Sequence, residues 1–315
     1  MAEATLEPGA KAAQPRLTLG ERLRRNPVAL KETRIRMRGR RAFVSLTIYL
    51  LFLSGFVSLV YLASSAATAA FGSPRDWQDL GKTVFASVVG LELFMMCFIA
   101  PGATAGAISS ERERQTFDVL RTTLLSARSL VLGKLASALS YLLLLLLAAI
   151  PLQSLAFLFG GVTPEEVLIG TVLLVVTAVT FSAVGLFCSS LMKRTQSSTV
   201  LAYVLALFLT IGLPLIVAVL TPLLMRTALA GGSLANASLS VSLYWLLLSL
   251  SPLSAAIFTA SNLATERSIF TASPFAGSGN TIELLSPWVI YTIAYVLLSA
   301  LLVALTIRNI KRPEK

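Results

Sequence analysis

Few side chains in this 315-residue sequence have chemical potential, and most of those are charges set against apolar runs. The densest group is Ser109-Ser110-Glu111-Arg112-Glu113-Arg114, directly after the small-residue run Gly102-Ala103-Thr104-Ala105-Gly106-Ala107-Ile108. Ser110-x-x-Glu113 has the spacing of a capping box and predicts a short helix from Glu111. Phe117, Leu120 and Leu124 follow at helical spacing and give that helix an apolar side. A charged start with an apolar ridge suits docking into a groove of a partner. The competing reading, a solvated basic loop, leaves the mixed charges unexplained and the ridge idle.

Glu92 is the ionisable side chain deepest in an apolar run. A charge at mid-bilayer costs ~2.5–3.5 kcal/mol on insertion scales, so such a group faces a cavity or a partner. Two roles stay open at this point: a gating residue on a translocation path, or a protonated or hydrogen-bonded carboxyl at a helix contact. The absence of His excludes His-based metal sites and Ser-His or Cys-His catalysis. Cys97 and Cys188 both lie inside apolar runs and read as small buried hydrophobes. Gly81-Lys82-Thr83 looks like the end of a phosphate-binding loop, but Asp76 stands where the first Gly is required. Every Lys lies at or beyond the end of an apolar run, which argues against intramembrane catalysis. The expectation is therefore no catalytic residue and no metal ligand in this chain.

The elements that must position these residues are membrane helices. The chain is 56% hydrophobic and 13% charged, with mean hydropathy +0.80. That leaves too little polar surface to wrap a soluble core. Six apolar runs are long enough to span a bilayer, at roughly 42–70, 84–108, 135–159, 167–191, 199–224 and 287–307. Pro101, Pro151 and Pro214 fall inside them and are expected to kink them. Gly102 and Gly106 give the second span a small-residue face for close helix packing.

The net charge of +11 does not indicate nucleic acid, because its placement follows the membrane. With the N-terminus inside, only Arg75, Lys82, Arg226 and Arg267 of the 26 basic residues fall outside. Both termini are thus expected in the cytoplasm. Residues 1–17 read as a disordered tail and 18–41 as an amphipathic elbow on the inner leaflet, with Asn26-Pro27 as its capped start. Arg34, Arg36, Arg38, Arg40 and Arg41 would meet anionic lipids there. A six-span domain over 42–308 follows, then a tail over 309–315. The apolar segment Tyr244–Ala260 is short and interrupted by Pro252. It reads as a re-entrant or interfacial helical segment within an external insertion over 226–286, since a seventh span would put the basic C-terminus outside. The fold expected is an all-α membrane protein.

The Asn26-Pro27-Val28 start with its Arg-Met-Arg-Gly-Arg-Arg lead resembles the permease subunit of type-2 ATP-binding cassette (ABC) exporters. So do Thr104–Arg114 and the Thr123-Leu124-Leu125-Ser126 to Val131-Leu132-Gly133-Lys134 stretch, although Leu124 replaces the family's usual Pro. The resemblance implies a coupling helix between spans two and three, bearing Glu111, Arg112, Glu113, Arg114, Phe117, Leu120 and Leu124. It implies a dimer with a second permease copy or paralogue, in a bacterial cytoplasmic membrane. It also implies a separate cytosolic ATPase subunit that holds ATP and Mg, since this chain has no room for a nucleotide-binding fold. Two other functions compete: a secondary transporter, which predicts charges along several spans and an internal repeat, and a structural or assembly subunit without transport.

Overall fold

The computed structural model describes residues 32–34, 39–71, 76–116, 126–230, 234–265, 268–272 and 284–311. Long helices dominate because nearly every apolar run is longer than the bilayer is thick and must satisfy its backbone internally. They are α1 (Arg40–Phe71), α2 (Asp76–Thr104), the short α3 (Ser109–Glu113), α4 (Ala127–Phe159), α5 (Pro164–Leu191) and α6 (Thr195–Leu207). A π-helical segment, Phe208–Gly212, joins α6 to α7 (Leu213–Ala230). Then come α8 (Leu234–Ser249), α9 (Pro252–Thr265), a two-residue hairpin of β1 (Thr271–Ala272) with β2 (Leu284–Leu285), and α10 (Pro287–Lys311). Among the described residues, six helical stretches are long and apolar enough to cross a membrane. The predicted starts of spans two and three lie 8 residues late, because α2 begins at Asp76 and α4 at Ala127. α10 continues to Lys311, into the first three residues of the predicted tail at 309–315.

Local capping explains several boundaries. Thr163 and Glu166 close a reciprocal capping box at the start of α5, with Pro164 at the first helical position. Ser126 caps α4 by accepting from Ser129 N–H at 3.2 Å. α5 is the central helix: 67% of its most apolar window is buried, against 17% for α1. It packs most extensively on α2 and α10, and α2 also packs on α4. Leu93, Met96, Cys97, Leu142, Phe181 and Tyr295 lie in the main core. α1 instead presents Phe43, Ile48, Leu51 and Leu62 outward, as a helix facing lipid must. Both cysteines are free and buried.

Pro214 acts through its missing N–H. It stands in the first turn of α7, so the carbonyl of Thr210 loses its helical donor and the helix widens into the π segment before it. Ser251 Oγ donates to that carbonyl at 3.2 Å. Ser251 sits in the two-residue break between α8 and α9, which are bent by 116°. Tyr295 of α10 donates to Leu250 O in the same break at 2.8 Å. Tyr295 is 8 residues along α10, so the bend reaches ~12 Å into the bundle. A V-shaped pair with that bend is either a re-entrant segment or a single broken span. Pro101 and Pro151 are carried inside α2 and α4.

Candidate functional site

The charged run after α2 is built into the bundle. α3 spans Ser109–Glu113, but Ser110 and Glu113 do not form the predicted capping box. The N-cap is Ile108, and its side chain makes no cap bond. Ser189 at the end of α5 replaces it: its Oγ accepts from Ile108 N–H at 2.8 Å and Ser109 N–H at 2.9 Å. A tertiary cap thus satisfies the orphan donors that local sequence leaves open. Glu113 turns to another helix. Its Oε2 accepts from Thr195 Oγ1 at 2.7 Å and Thr195 N–H at 3.3 Å. It thereby caps α6, whose own N-cap residue Arg194 makes no side-chain cap bond.

The expected continuation of the helix from Glu111 into Phe117 is also corrected. α3 stops at Glu113, and Gln115 takes φ 58°, a left-handed conformation that a helix cannot pass through. Phe117, Leu120 and Leu124 lie outside the described residues. Arg112 Nη1 donates to Ser190 O at 2.9 Å, and Arg114 is exposed at the helix end.

Lys134, in the second turn of α4, is the feature the sequence reading missed. Its ammonium lies 2.7 Å from Glu111 Oε1 and 2.8 Å from Glu32 Oε1, and its side chain is 4% exposed. One cation therefore joins α3, α4 and the segment before α1. Beside it, Ile108, Val131, Leu135, Leu186 and Ile310 form a separate small core that adds the end of α10 to the same junction. Nothing local announces this: Lys134 and Glu32 are 102 residues apart, and a Lys at a span end reads as an ordinary membrane anchor.

Of the elbow arginines, Arg34 is exposed in a helical turn at 32–34 and Arg40 is exposed at the start of α1. Arg41 follows in the helix; its side chain, together with Arg36, Arg38 and the tail over 1–17, lies outside the described residues. Gly102 and Gly106 meet α6. A β-carbon at Gly102 would stand 2.5 Å from the Tyr203 hydroxyl, and one at Gly106 would stand 3.3 Å from Thr195 Cγ2. Gly185, which sequence reasoning did not single out, is tighter still against Pro101 and Thr104. Gly81-Lys82-Thr83 is part of α2, not a loop.

Glu92 is fully buried on α2 and accepts a hydrogen bond from Gln153 Nε2 of α4 at 2.7 Å. Its Oε1 and the Tyr49 hydroxyl are buried without hydrogen-bond partners. The carboxyl thus faces the bundle interior at a contact of α2 with α4, away from lipid.

No curated protein matches this sequence. The family model described as ABC-2 family transporter protein matches residues 27–307, and members of that family are membrane components of transporters that work with a cytosolic ATPase and are not themselves catalytic. Six apolar spans and a match over most of its length place this chain in the ABC-2 transporter family, as a multi-pass membrane permease.

Proposed function

We propose that this permease is the membrane half of an ATP-driven exporter, taking force from a separate ATPase through α3 and the residues that follow it. The observation that supports the reading most is how α3 is tied. Four of its five residues carry bonds to α4 through Lys134, to α5 through Ser189 and Ser190, and to α6 through Thr195. A push on α3 is therefore delivered to three spans at once rather than absorbed by a loop. The distribution of basic residues puts this end, and both termini, in the cytoplasm. ATP and Mg are held by the partner, and a second permease copy or paralogue completes the translocation path. Glu92 and Gln153 form a polar contact inside the bundle whose rearrangement accompanies opening. The elbow arginines rest on anionic lipid.

The test is co-purification and vesicle transport with the native ATPase. Phe117→Ala should weaken capture of the ATPase, because a buried aromatic anchor contributes ~2 kcal/mol or more to such an interface. Glu113→Ala should leave capture intact but uncouple hydrolysis from transport, because it cuts α3 from α6. If both variants bind and transport like wild type, this coupling route is wrong.

A further inference from the structure

A cavity of about 330 Å³ lies between α2, α5 and α9, at the opposite end of the bundle from Lys134. The two ends are separated by the length of α2: 22 residues from Lys82 to Thr104 rise ~33 Å. Gly81 fixes the geometry at the cavity end, where its Cα face meets Gly160 O and brings the start of α2 against the end of α4. The lining is apolar, with Leu173 and the exposed Ile257 among it. Lys82 and Glu166 are its ionisable residues, and each stands near the start of a membrane span. Among the described residues Lys82 has no hydrogen-bond or ion-pair partner, while Glu166 bonds only within its capping box. Thr259, 2% exposed, also lines the cavity, and its hydroxyl is buried with no hydrogen-bond partner.

These features specify an amphiphile. Lys82 to Gly90 covers ~12 Å of α2, which takes the cavity from the head-group region into the hydrocarbon. An apolar slot of that depth fits an acyl chain. One cation and one anion at the same level fit a head group that carries both signs. We propose that this cavity binds one chain of a zwitterionic phospholipid bearing a primary ammonium, drawn from the bilayer leaflet at that end. Lys82 takes the phosphate and Glu166 the ammonium. Moving an acyl chain from lipid into an apolar slot gains almost no hydrophobic free energy, since lipid tails are as apolar as the lining. Selectivity therefore comes from the head group, and that is what the experiment must read. The assignment stands independently of ATP coupling and of transport direction.

The probe is phosphatidylethanolamine with a photoactivatable diazirine in its acyl chain, compared with the matching phosphatidylglycerol, on the full-length chain in nanodiscs. Adducts are mapped by peptide mass spectrometry. Phosphatidylethanolamine adducts should concentrate on 86–90 and 256–260 and exceed those of phosphatidylglycerol by about tenfold, the scale of one charge-assisted hydrogen bond. Glu166→Gln should remove that difference, and Gln also closes a capping box, so this variant keeps the start of α5. Lys82→Gln should lower the adducts of both lipids several-fold and leave their ratio unchanged, since both carry the phosphate. A β-carbon at Gly90, one of the lining residues, meets nothing within 4 Å. Gly90→Leu should therefore fill the slot, favour the helix and lower adduct yield several-fold. Equal labelling by the two lipids, adducts spread evenly over outward positions such as Phe43, Leu59 and Leu147, or unchanged yield in Gly90→Leu would each overturn the proposal. If Gly90→Leu does not fold, the two charge variants decide it.

Discussion

Replacing Lys134 by methionine should destabilise the permease by about 3 kcal/mol, far more than loss of a surface ion pair. Methionine keeps the stem and removes the charge, so packing changes little. What remains is two carboxylates, Glu32 and Glu111, gathered around the place of a cation that was 2.8 and 2.7 Å from them. Breaking a buried pair by removing one partner costs ~3–5 kcal/mol, whereas exposed pairs contribute ~0–1. The Lys134 side chain is 4% exposed, which places the pair in the first class. Its partners are 24% and 22% exposed, so water screens the orphaned carboxylates and the lower end applies. About 3 kcal/mol is on the order of a hundredfold in the folding equilibrium. Reversible unfolding in mixed micelles, followed by far-ultraviolet circular dichroism, measures it. Adding Glu111→Gln to Lys134→Met should recover part of the loss, because it removes one of the two orphaned charges. A Lys134→Met variant within about 0.5 kcal/mol of wild type would refute the reasoning, since that is the scale of an ordinary surface substitution.

Glu92→Gln should alter transport or coupled ATPase turnover while leaving expression intact, and turnover unchanged across a range of pH would reduce Glu92 to a packing residue. Gly102→Val should destabilise the contact of α2 with α6 by ~1–3 kcal/mol through overpacking; the clash is with the Tyr203 hydroxyl, so Tyr203→Phe in the same chain should recover much of the thermal stability. With the proposed orientation, Ser233→Cys and Ser278→Cys should react with an impermeant maleimide on intact cells; reaction only after permeabilisation would invert the assigned topology.

The composition and the run lengths determined that this is a helical membrane protein, because a segment of some twenty apolar residues has no other stable backbone solution in lipid. Runs of that kind also placed six spans to within a few residues at most ends, and Pro252 marked the break inside Tyr244–Ala260. The charged run at 111–114 was legible as a special place because mixed charges beside a span are unusual. Its bonding was not. Ser110 and Glu113 have the right spacing for a local cap, yet Ser189 and Thr195 offer the better partners, and both come from other helices. The same holds for Lys134, whose partners lie 102 and 23 residues away. Local spacing fixes what a residue can bond within its own turn. Only the packing of distant helices decides whether a closer or better-shielded partner takes that bond instead.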